Sequence, residues 1–175
     1  MAGHFLHILH GEKPSDLHRK VMDVSLILYA EHEFNASTFT ARVCASTMSD
    51  IHSCVVAAIG SLRGPLHGGA NEKAMELIEN WTSKEEAKTK IIEMLGNKEK
   101  IMGFGHAVYS IRDPRNAVIK GYAKELSQLA ENDTLYQVAE EVEKVMADEK
   151  KMFANADFFH AVSYTHLTLP TIAVV

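Results

Sequence analysis

Four side chains of this sequence could carry acid–base chemistry, and they are His32, His67, His106 and Asp157. His67 lies between a proline turn and two glycines at the start of a predicted helix, where free backbone N–H groups and the helix dipole disfavour a charged imidazole. A neutral histidine in such a place can donate a hydrogen bond to an oxyanion that forms during a reaction. The same residues are equally compatible with a histidine that only supports the turn.

Asp157 lies in a segment rich in aromatic residues, Phe-Ala-Asn-Ala-Asp-Phe-Phe, at positions 153–159. Aromatic neighbours could desolvate the carboxylate and raise its pKa toward the value that a general base needs. Aspartate is also a favoured N-cap residue for the helix that is predicted to follow.

His32 follows the first long apolar helix, where a cation would interact favourably with the helix dipole. Its position in the sequence therefore favours a structural role.

A Gly-Phe-Gly stretch precedes His106, and glycines allow a ligand to approach the backbone closely. Lys98 and Lys100 lie upstream, and Arg115 lies at a predicted helix start downstream, so the segment could bind an anion. A structural turn beside solvated lysines explains the same residues.

His4, His7 and His10 invite a comparison with metal sites. On a helix the outer two would be rotated by about 120° from each other, and no cysteine or carboxylate completes a known ligand set. We therefore expect no metal site here. A histidine-rich, metal-binding helical protein is kept as an alternative, which stoichiometric zinc or nickel in the purified chain would support.

The composition excludes several classes of function. The 175 residues are 46% hydrophobic and 23% charged, and 18 Lys and Arg against 23 Asp and Glu give a net charge of −5. A net negative charge does not attract nucleic acid or an anionic membrane, so we expect neither partner. Two cysteines, Cys44 and Cys54, are too few for a disulfide framework, which favours a cytoplasmic location.

The hydrophobic pattern predicts a mainly α fold, because apolar residues recur at helical spacing and period-two alternation is absent. Ser15 or Asp16 marks the start of a helix that is apolar almost all round and therefore predicted to be buried. A second helix is predicted over residues 37–48. A third begins near Ser49 and is also predicted to be mostly buried.

The character of the sequence changes near residue 70. Residues 63–69 are dense in helix breakers, and a helix resumes at about Ala70. Amphipathic, charged helices follow, including one over residues 83–95 that begins with a capping box and a long one that runs to about Met152. We take the change near residue 70 as a candidate domain boundary.

Four segments together resemble the citrate synthase family. They are LYAEHEFNASTFTARV, GPLHGGANE, MGFGHAVYSIRDPR and FANADFF, which occur in this order over about residues 1–164. The resemblance is strongest to the 2-methylcitrate synthases of bacterial propionate catabolism. It implies a mainly α homodimer in which residues 1–70 belong to a partial large domain, 71–155 form an inserted small domain, and 156–164 return to the large domain. The helices near residues 17–29 and 37–48 would help to form the dimer interface.

The resemblance also implies roles for the residues singled out above. Asp157 corresponds to the general base, His67 to the histidine that binds the thioester oxygen, and His106 to the histidine that polarises the oxaloacetate ketone. His32 and Arg115 correspond to residues that hold oxaloacetate. The predicted CoA-binding loop comprises Lys100, Ile101, Met102, Gly103 and Phe104. No metal and no other cofactor is implied, because acyl-CoA is a substrate.

The implied reaction condenses propionyl-CoA with oxaloacetate and water to give 2-methylcitrate and CoA. A citrate synthase that uses acetyl-CoA, as in the tricarboxylic acid cycle, is the first alternative. Family members have a long segment before the equivalent of Met1, so the second alternative is a catalytically inactive helical fragment with exposed former-core surface. Residues 165–175 depart from the family pattern and resemble a translated sequencing adapter, so we exclude them from the fold prediction.

Overall fold

The chain folds as a succession of α-helices. A computed structural model describes residues 1–172, with side chains described as far as residue 168. The helices in this part are α1 Ala2–His10, α2 Asp16–Tyr29, α3 Ala36–Ser46, α4 Ile51–Leu62, α5 Gly69–Ile78, α6 Lys84–Gly96, α7 Pro114–Leu129, α8 Thr134–Lys150 and α9 Ala156–Ile172. The described residues contain no strand, so the predicted mainly α fold is confirmed. Of the helices in this part, none combines the length and hydropathy required to span a membrane.

Side-chain caps explain where five of these helices begin. The side chains of Ser15, Asn35, Asp50 and Ser83 each accept the backbone N–H three residues ahead, at the starts of α2, α3, α4 and α6. Asp113 accepts the N–H of the residue two positions ahead and is followed by proline at the first helical position of α7. Each cap satisfies a donor that the helix start would otherwise leave without a partner.

The main hydrophobic core lies among α5, α6, α7, α8 and α9. Phe158 and Phe159 of α9 are fully buried at its centre, with ring centroids 5.4 Å apart, and Phe104 packs against Phe158 at 4.6 Å. Helix α9, which was expected to return to the large domain, therefore shares a core with helices that were assigned to the small domain. The domain boundaries stay a prediction.

A second, smaller core joins α1, α2, α7 and α9 through Leu6, Val21, Leu126 and Leu167, each at most 1% exposed. Leu167 lies in the segment that was excluded from the fold prediction. Helix α9 continues through that segment to Ile172, so its described residues belong to the fold. Residues 173–175 of the segment lie outside the described part, and the resemblance to an adapter sequence stays untested.

Helices α3 and α4 form a hairpin that departs from the expected burial. None of the residues of α4 is buried, and Ile51 and Ile59 are 72% and 58% exposed. Helix α2 is also more open than expected, since Ile27 is 72% exposed. Within the single chain these helices are not fully buried, because α4 packs mainly against α3 and its outer apolar face is left uncovered within the described residues. Burial of α2 at the predicted dimer interface stays a prediction.

Two segments between helices, residues 103–105 and 153–155, pair with each other and fix the start of α9; we call this pairing the clamp. Phe104 and Ala154 form an antiparallel bridge, flanked by hydrogen bonds from Gly105 N to Phe153 O and from Asn155 N to Gly103 O, both 2.9 Å long. Gly103 has φ +87°, and a Cβ atom there would lie 2.9 Å from Cβ of Phe158. Glycine is therefore required at this position by both backbone conformation and space.

We predict that Gly103→Ala lowers the free energy of unfolding by about 1–3 kcal/mol, because alanine is strained at positive φ and would displace α9. Urea unfolding followed by circular dichroism measures the change. Gly121→Ala is the matched control, because Gly121 lies within α7 with nothing within 4 Å of an added Cβ. It should stabilise the chain by about 0.5–1 kcal/mol. Equal effects of the two substitutions would contradict the strained clamp.

Candidate active site

The buried carboxylate of Asp113 organises the site. Its Oδ1 accepts the backbone N–H and the Nε–H of Arg115, both at 3.0 Å. Its Oδ2 accepts Nη2–H of Arg115 at 2.8 Å and the backbone N–H of Ala156 at 3.0 Å. Burial alone would raise the pKa of this carboxyl group, but these hydrogen bonds hold it below its ordinary value. One carboxylate thus positions the Arg115 guanidinium and the first turn of α9.

His106 presents a defined hydrogen-bond donor toward Arg115 and His32. Its Nδ1 accepts the backbone N–H groups of Val108 and Tyr109 at 3.0 and 3.3 Å, so in the neutral ring Nε2 carries the proton. Burial and the neighbouring His32 and Arg115 lower the pKa of His106, which favours the neutral ring.

Nε2 of His106 faces both His32 and Arg115. It donates to Nε2 of His32 at 3.1 Å and lies 3.4 Å from Nη2 of Arg115. The guanidinium can only donate hydrogen bonds, so two donors lie side by side, 3.4 Å apart. A carbonyl or carboxylate oxygen of a ligand beside this pair, within hydrogen-bond distance of both nitrogens, would accept from both groups. The tyrosine ring of Tyr109 covers the cluster, with centroids 4.7 Å from His106 and 5.7 Å from His32.

The ring of His67 is oriented by α3. The backbone N–H of Ser37 donates to Nε2 of His67 at 3.2 Å, and the Ser37 hydroxyl oxygen lies 2.8 Å from the same nitrogen. A backbone N–H can only donate, so in the neutral ring Nδ1 carries the proton. Within the described residues Nδ1 has no hydrogen-bond partner, which leaves this donor available to a ligand oxygen.

Asp157 is a carboxylate with a raised pKa. Burial raises its pKa, while a hydrogen bond from Tyr29 and the positive charge of Arg115 partly oppose this effect. The Tyr29 hydroxyl donates to Oδ1 at 2.9 Å. His67 lowers the pKa of Asp157, and Asp157 in turn raises the pKa of His106. Electrostatic interactions therefore link three of the residues that the sequence analysis singled out.

The alternative structural role of Asp157 as a helix cap is wrong. The side chain of Asn155 accepts the Asp157 N–H at 3.0 Å, and its backbone oxygen accepts the Phe158 N–H at 3.3 Å. Asn155 therefore caps α9. The Asp157 carboxylate is left free for other contacts because it lies inside the first turn instead of before it.

The predicted CoA-binding loop is only partly accessible. Ile101 and Phe104 are 7% and 9% exposed and pack into the main core, whereas Lys100 is exposed and Met102 is partly buried. Side-chain contacts with a ligand are therefore open to Lys100 and Met102, and Ile101, Gly103 and Phe104 offer mainly backbone. The binding of CoA at this loop stays a prediction.

The N-terminal histidines lie apart from this site, on α1. His10 Nε2 is 2.6 Å from the backbone oxygen of Leu167, a contact between α1 and α9. Within residues 1–172, no group of three or more His, Cys, Asp or Glu side chains is arranged to hold a metal ion.

Several residues of the site were missed in the sequence. Tyr29, Ser37, Asn71 and His160 contact Asp157 or His67 directly or through one neighbour, and no local sequence pattern separates them from ordinary helix residues. Asp113 lies two residues before Arg115, at the same predicted helix start. Its Asp-Pro-Arg sequence indicates an N-cap, but its bond to Ala156 depends on the tertiary structure.

The fold and the site define a class of protein: an all-α protein in which a carboxylate of raised pKa, Asp157, interacts electrostatically with two histidines and an arginine. The family model for the citrate synthase C-terminal domain matches residues 1–175. The chain belongs to the citrate synthase family, and the resemblance found in the sequence is confirmed.

Known relatives agree with this assignment. The chain is 61% identical over 171 residues to a 2-methylcitrate synthase of Shewanella oneidensis, covering 98% of this chain and 46% of that protein. It is 46% identical over 170 residues to a citrate synthase of Heyndrickxia coagulans, covering 97% and 46%. The chain thus spans about half the length of these curated relatives.

Among solved structures, the citrate synthase of Thermoplasma acidophilum in a ternary complex with carboxymethyl coenzyme A and oxaloacetate superimposes with a TM-score of 0.89. The sequences are 34% identical, and the match covers 95% of this chain and 45% of that one.

We predict that Asp113→Asn lowers the free energy of unfolding at pH 7 by about 3–5 kcal/mol, because it leaves the partly buried Arg115 guanidinium without its counter-charge. Folding lowers the pKa of Asp113 from its ordinary value of 3.8. Its stabilising contribution is therefore complete above that value and is lost as the pH falls through the lower, folded value. The difference between wild type and variant should shrink below pH 3.8, as measured by urea unfolding across a pH series.

Asp50→Asn is the control, because Asp50 caps α4 at the surface and its pKa is also lowered, by hydrogen bonds from Ser53. It should cost much less stability than Asp113→Asn. A similar loss in both variants would show that Asp113 acts only as a cap.

Proposed function

We propose that the protein of which this chain is part condenses propionyl-CoA with oxaloacetate and water to form 2-methylcitrate and CoA. The observation that carries the proposal is the clustering of a carboxylate of raised pKa, Asp157, with two imidazole N–H groups whose position on the ring is set by backbone donors, His67 Nδ1–H and His106 Nε2–H. The 61% identity to a 2-methylcitrate synthase supports propionyl-CoA as the acyl donor.

Asp157 and His67 form the enol in this proposal. Asp157 removes a proton from the carbon next to the thioester, and burial raises its pKa so that it is a stronger base than an ordinary aspartate. The electron pair of the broken C–H bond moves toward the thioester oxygen. His67 Nδ1–H donates to that oxygen, and Ser37 holds the ring from the other side. A preorganised donor of this kind stabilises the charge as it develops.

His106, His32 and Arg115 act on oxaloacetate. His106 Nε2–H donates to the ketone oxygen and makes the carbonyl carbon electrophilic, while Arg115 binds a carboxylate of the same substrate. The two donors 3.4 Å apart, His106 Nε2–H and the Arg115 guanidinium, support an oxygen-rich, anionic ligand at this place. The carbon–carbon bond forms between the enol and this carbonyl, and water then hydrolyses the thioester to release CoA.

The proposal also assigns a CoA-binding segment, residues 100–104. Lys100, Met102 and the backbone of the 101–104 segment contact CoA in this proposal. The complex of the Thermoplasma citrate synthase with carboxymethyl coenzyme A and oxaloacetate supports a CoA thioester and oxaloacetate as the two ligands. The steps assigned here use only protein groups and water, so the proposal includes no resident cofactor. It also includes the cytoplasmic location expected from the sequence.

Two alternatives are kept open by specific observations. The 46% identity to a citrate synthase favours acetyl-CoA as a second candidate donor. Coverage of only about half of each relative favours an inactive fragment when the chain is isolated.

A homodimer completes the proposal. Helices α3 and α4 line an apolar groove with Ala45, Cys54, Val55, Ala58, Ile59 and Leu62. Val55 and Ile59 are 50% and 58% exposed. Contiguous exposed apolar residues of this kind mark interaction surfaces, and a second copy of the same hairpin is complementary to it.

We predict that Asp157→Asn abolishes CoA release, with a loss of at least about a hundredfold, because the amide cannot accept the proton. The assay follows free thiol in a chimera, namely the Shewanella relative with its matching segment replaced by this chain.

The catalytic efficiency of this chimera should be higher for propionyl-CoA than for acetyl-CoA, and one methyl group in a pocket is worth about 10- to 200-fold.

The isolated 175-residue chain should release far less thiol than the chimera. Full activity of the Asp157→Asn chimera would contradict the proposed base, and a preference for acetyl-CoA would favour the citrate synthase alternative.

We predict that Ile59→Glu prevents dimer formation, because a charged side chain would be desolvated in the apolar groove. Sedimentation velocity of the 175-residue chain measures its mass in solution. The control is Ile92→Glu on α6, where Ile92 is 46% exposed and lies outside the groove. A wild-type chain that stays monomeric at high concentration would contradict this interface.

A further inference from the structure

The two oxygens of Asp157 have different surroundings. Oδ1 accepts the Tyr29 hydroxyl at 2.9 Å. Within the described residues, Oδ2 has no hydrogen-bond partner. Burial and the negative charge of Asp157 raise the pKa of Tyr29, so the phenol stays protonated and acts only as a donor to Oδ1. The carboxylate is therefore asymmetric, with one oxygen bound and one oxygen free.

Tyr29 is held in this position by His160. The two ring centroids are 4.7 Å apart with an interplanar angle of 46°. Tyr29 is the last residue of α2, whereas His160 lies one turn after Asp157 on α9. The aromatic contact therefore fixes the end of α2 against the same helix that carries Asp157.

Asn71 fixes the His160 ring. Its Nδ2 donates to Nδ1 of His160 at 2.9 Å and to the backbone oxygen of Asp157 at 3.1 Å. Burial lowers the pKa of His160 to about 4, so the ring is neutral at physiological pH and Nδ1 can accept this bond. The contacts close a circuit from Asp157 through Tyr29, His160 and Asn71 back to Asp157, across α2, α5 and α9.

We propose that Tyr29, held by His160 and Asn71, orients Asp157 so that Oδ2 alone takes the substrate proton. This inference rests on the proposed function, since it assigns the reacting oxygen of the proposed base. The proton moves from the acyl carbon to Oδ2, and the electron pair of that C–H bond enters the enol. Tyr29 and His160 are positioning residues that take no proton in this step.

The charges that face Asp157 determine the direction of the expected change. Burial and the charge of Asp113 raise the pKa of Asp157, while the hydrogen bond from Tyr29, the charge of Arg115 and the neighbouring His67 lower it. His106 and His160 are the other titratable neighbours, and the lowering of the pKa of each favours the neutral ring. Removing the Tyr29 hydroxyl eliminates one lowering influence and leaves the others in place. The pKa of Asp157 should therefore rise.

The first test measures this titration in the 175-residue chain. The chain is labelled with ¹³C at the aspartate carboxyl carbon, and the Asp157 signal is assigned by its loss in Asp157→Asn. Tyr29→Phe should move the Asp157 titration to higher pH. Tyr136→Phe is the matched control, because the Tyr136 hydroxyl donates to Glu140 at 3.3 Å, away from Asp157. It should leave the Asp157 titration unchanged.

A pair of variants tests the supporting role of His160. His160→Leu removes the acceptor for Asn71 and should shift the Asp157 titration in the same direction as Tyr29→Phe. His160→Gln keeps an acceptor at this position and should bring the titration back toward wild type. Thermal melts of each variant identify loss of folding, which would affect all carboxyl signals together instead of Asp157 alone.

The second test uses the Shewanella chimera and its release of CoA. Tyr29→Phe should reduce kcat by about ten- to a hundredfold through misorientation of the base, with little change in KM for acyl-CoA. The acidic limb of the kcat profile should move to higher pH, as the carboxyl titration does.

An Asp157 titration that is the same in Tyr29→Phe and wild type would overturn the inference, as would a kcat that is unchanged. If the unsubstituted chimera releases no CoA, the proposed function fails. The carboxyl titration then still decides whether Tyr29 binds and orients Asp157, so the two failures are distinguishable.

Discussion

The buried charge of Asp113 is the constraint on which the geometry of the site depends. A carboxylate removed from water is tolerated only when its lone pairs are hydrogen-bonded, and Asp113 accepts four bonds from Arg115 and Ala156. These donors belong to the starts of α7 and α9. Satisfying one carboxylate therefore fixes two helix starts relative to each other, and with them the guanidinium of Arg115 and the backbone that carries Asp157.

Backbone N–H groups determine what the two histidines can do. Val108 and Tyr109 occupy Nδ1 of His106, and Ser37 occupies Nε2 of His67, so in each neutral ring the proton lies on the other nitrogen. A main-chain donor cannot rotate or ionise, which makes the assignment of each tautomer insensitive to small movements of side chains. Before any ligand binds, the His106 Nε2–H donates to Nε2 of His32, whereas Nδ1 of His67 has no hydrogen-bond partner within the described residues.

The site lies between two parts of the chain that are packed to different degrees. Asp157, Asn71 and Asp113 are supported by the core of α5 to α9, whereas Ser37 belongs to the α3 and α4 hairpin, whose outer face is open. The orientation of His67 therefore depends on the position of that hairpin. Covering the apolar face of α4 would stabilise the hairpin and, through Ser37, the donor of His67.

The sequence by itself determined the helices and the chemical groups. Caps such as Ser15 and Ser83, and the helix breakers of residues 63–69, act on neighbouring residues, so local pattern was enough to predict most helix boundaries and the mainly α class. The residue types at positions 67 and 157 also indicated a candidate hydrogen-bond donor and a candidate carboxylate base, and the family resemblance added a donor role for His106.

Only the tertiary structure decided how those groups work. The contact of Tyr29 with Asp157, the tilted ring contact of His160 with Tyr29, and the capping of α9 by Asn155 join residues whose relation depends on helix packing or on one turn of backbone. The exposure of α4 could not be predicted from the sequence either, because its apolar residues are the same whether or not a neighbouring element covers them. Burial, tautomer and pKa depend on which groups surround a side chain, and those groups come from distant parts of the chain.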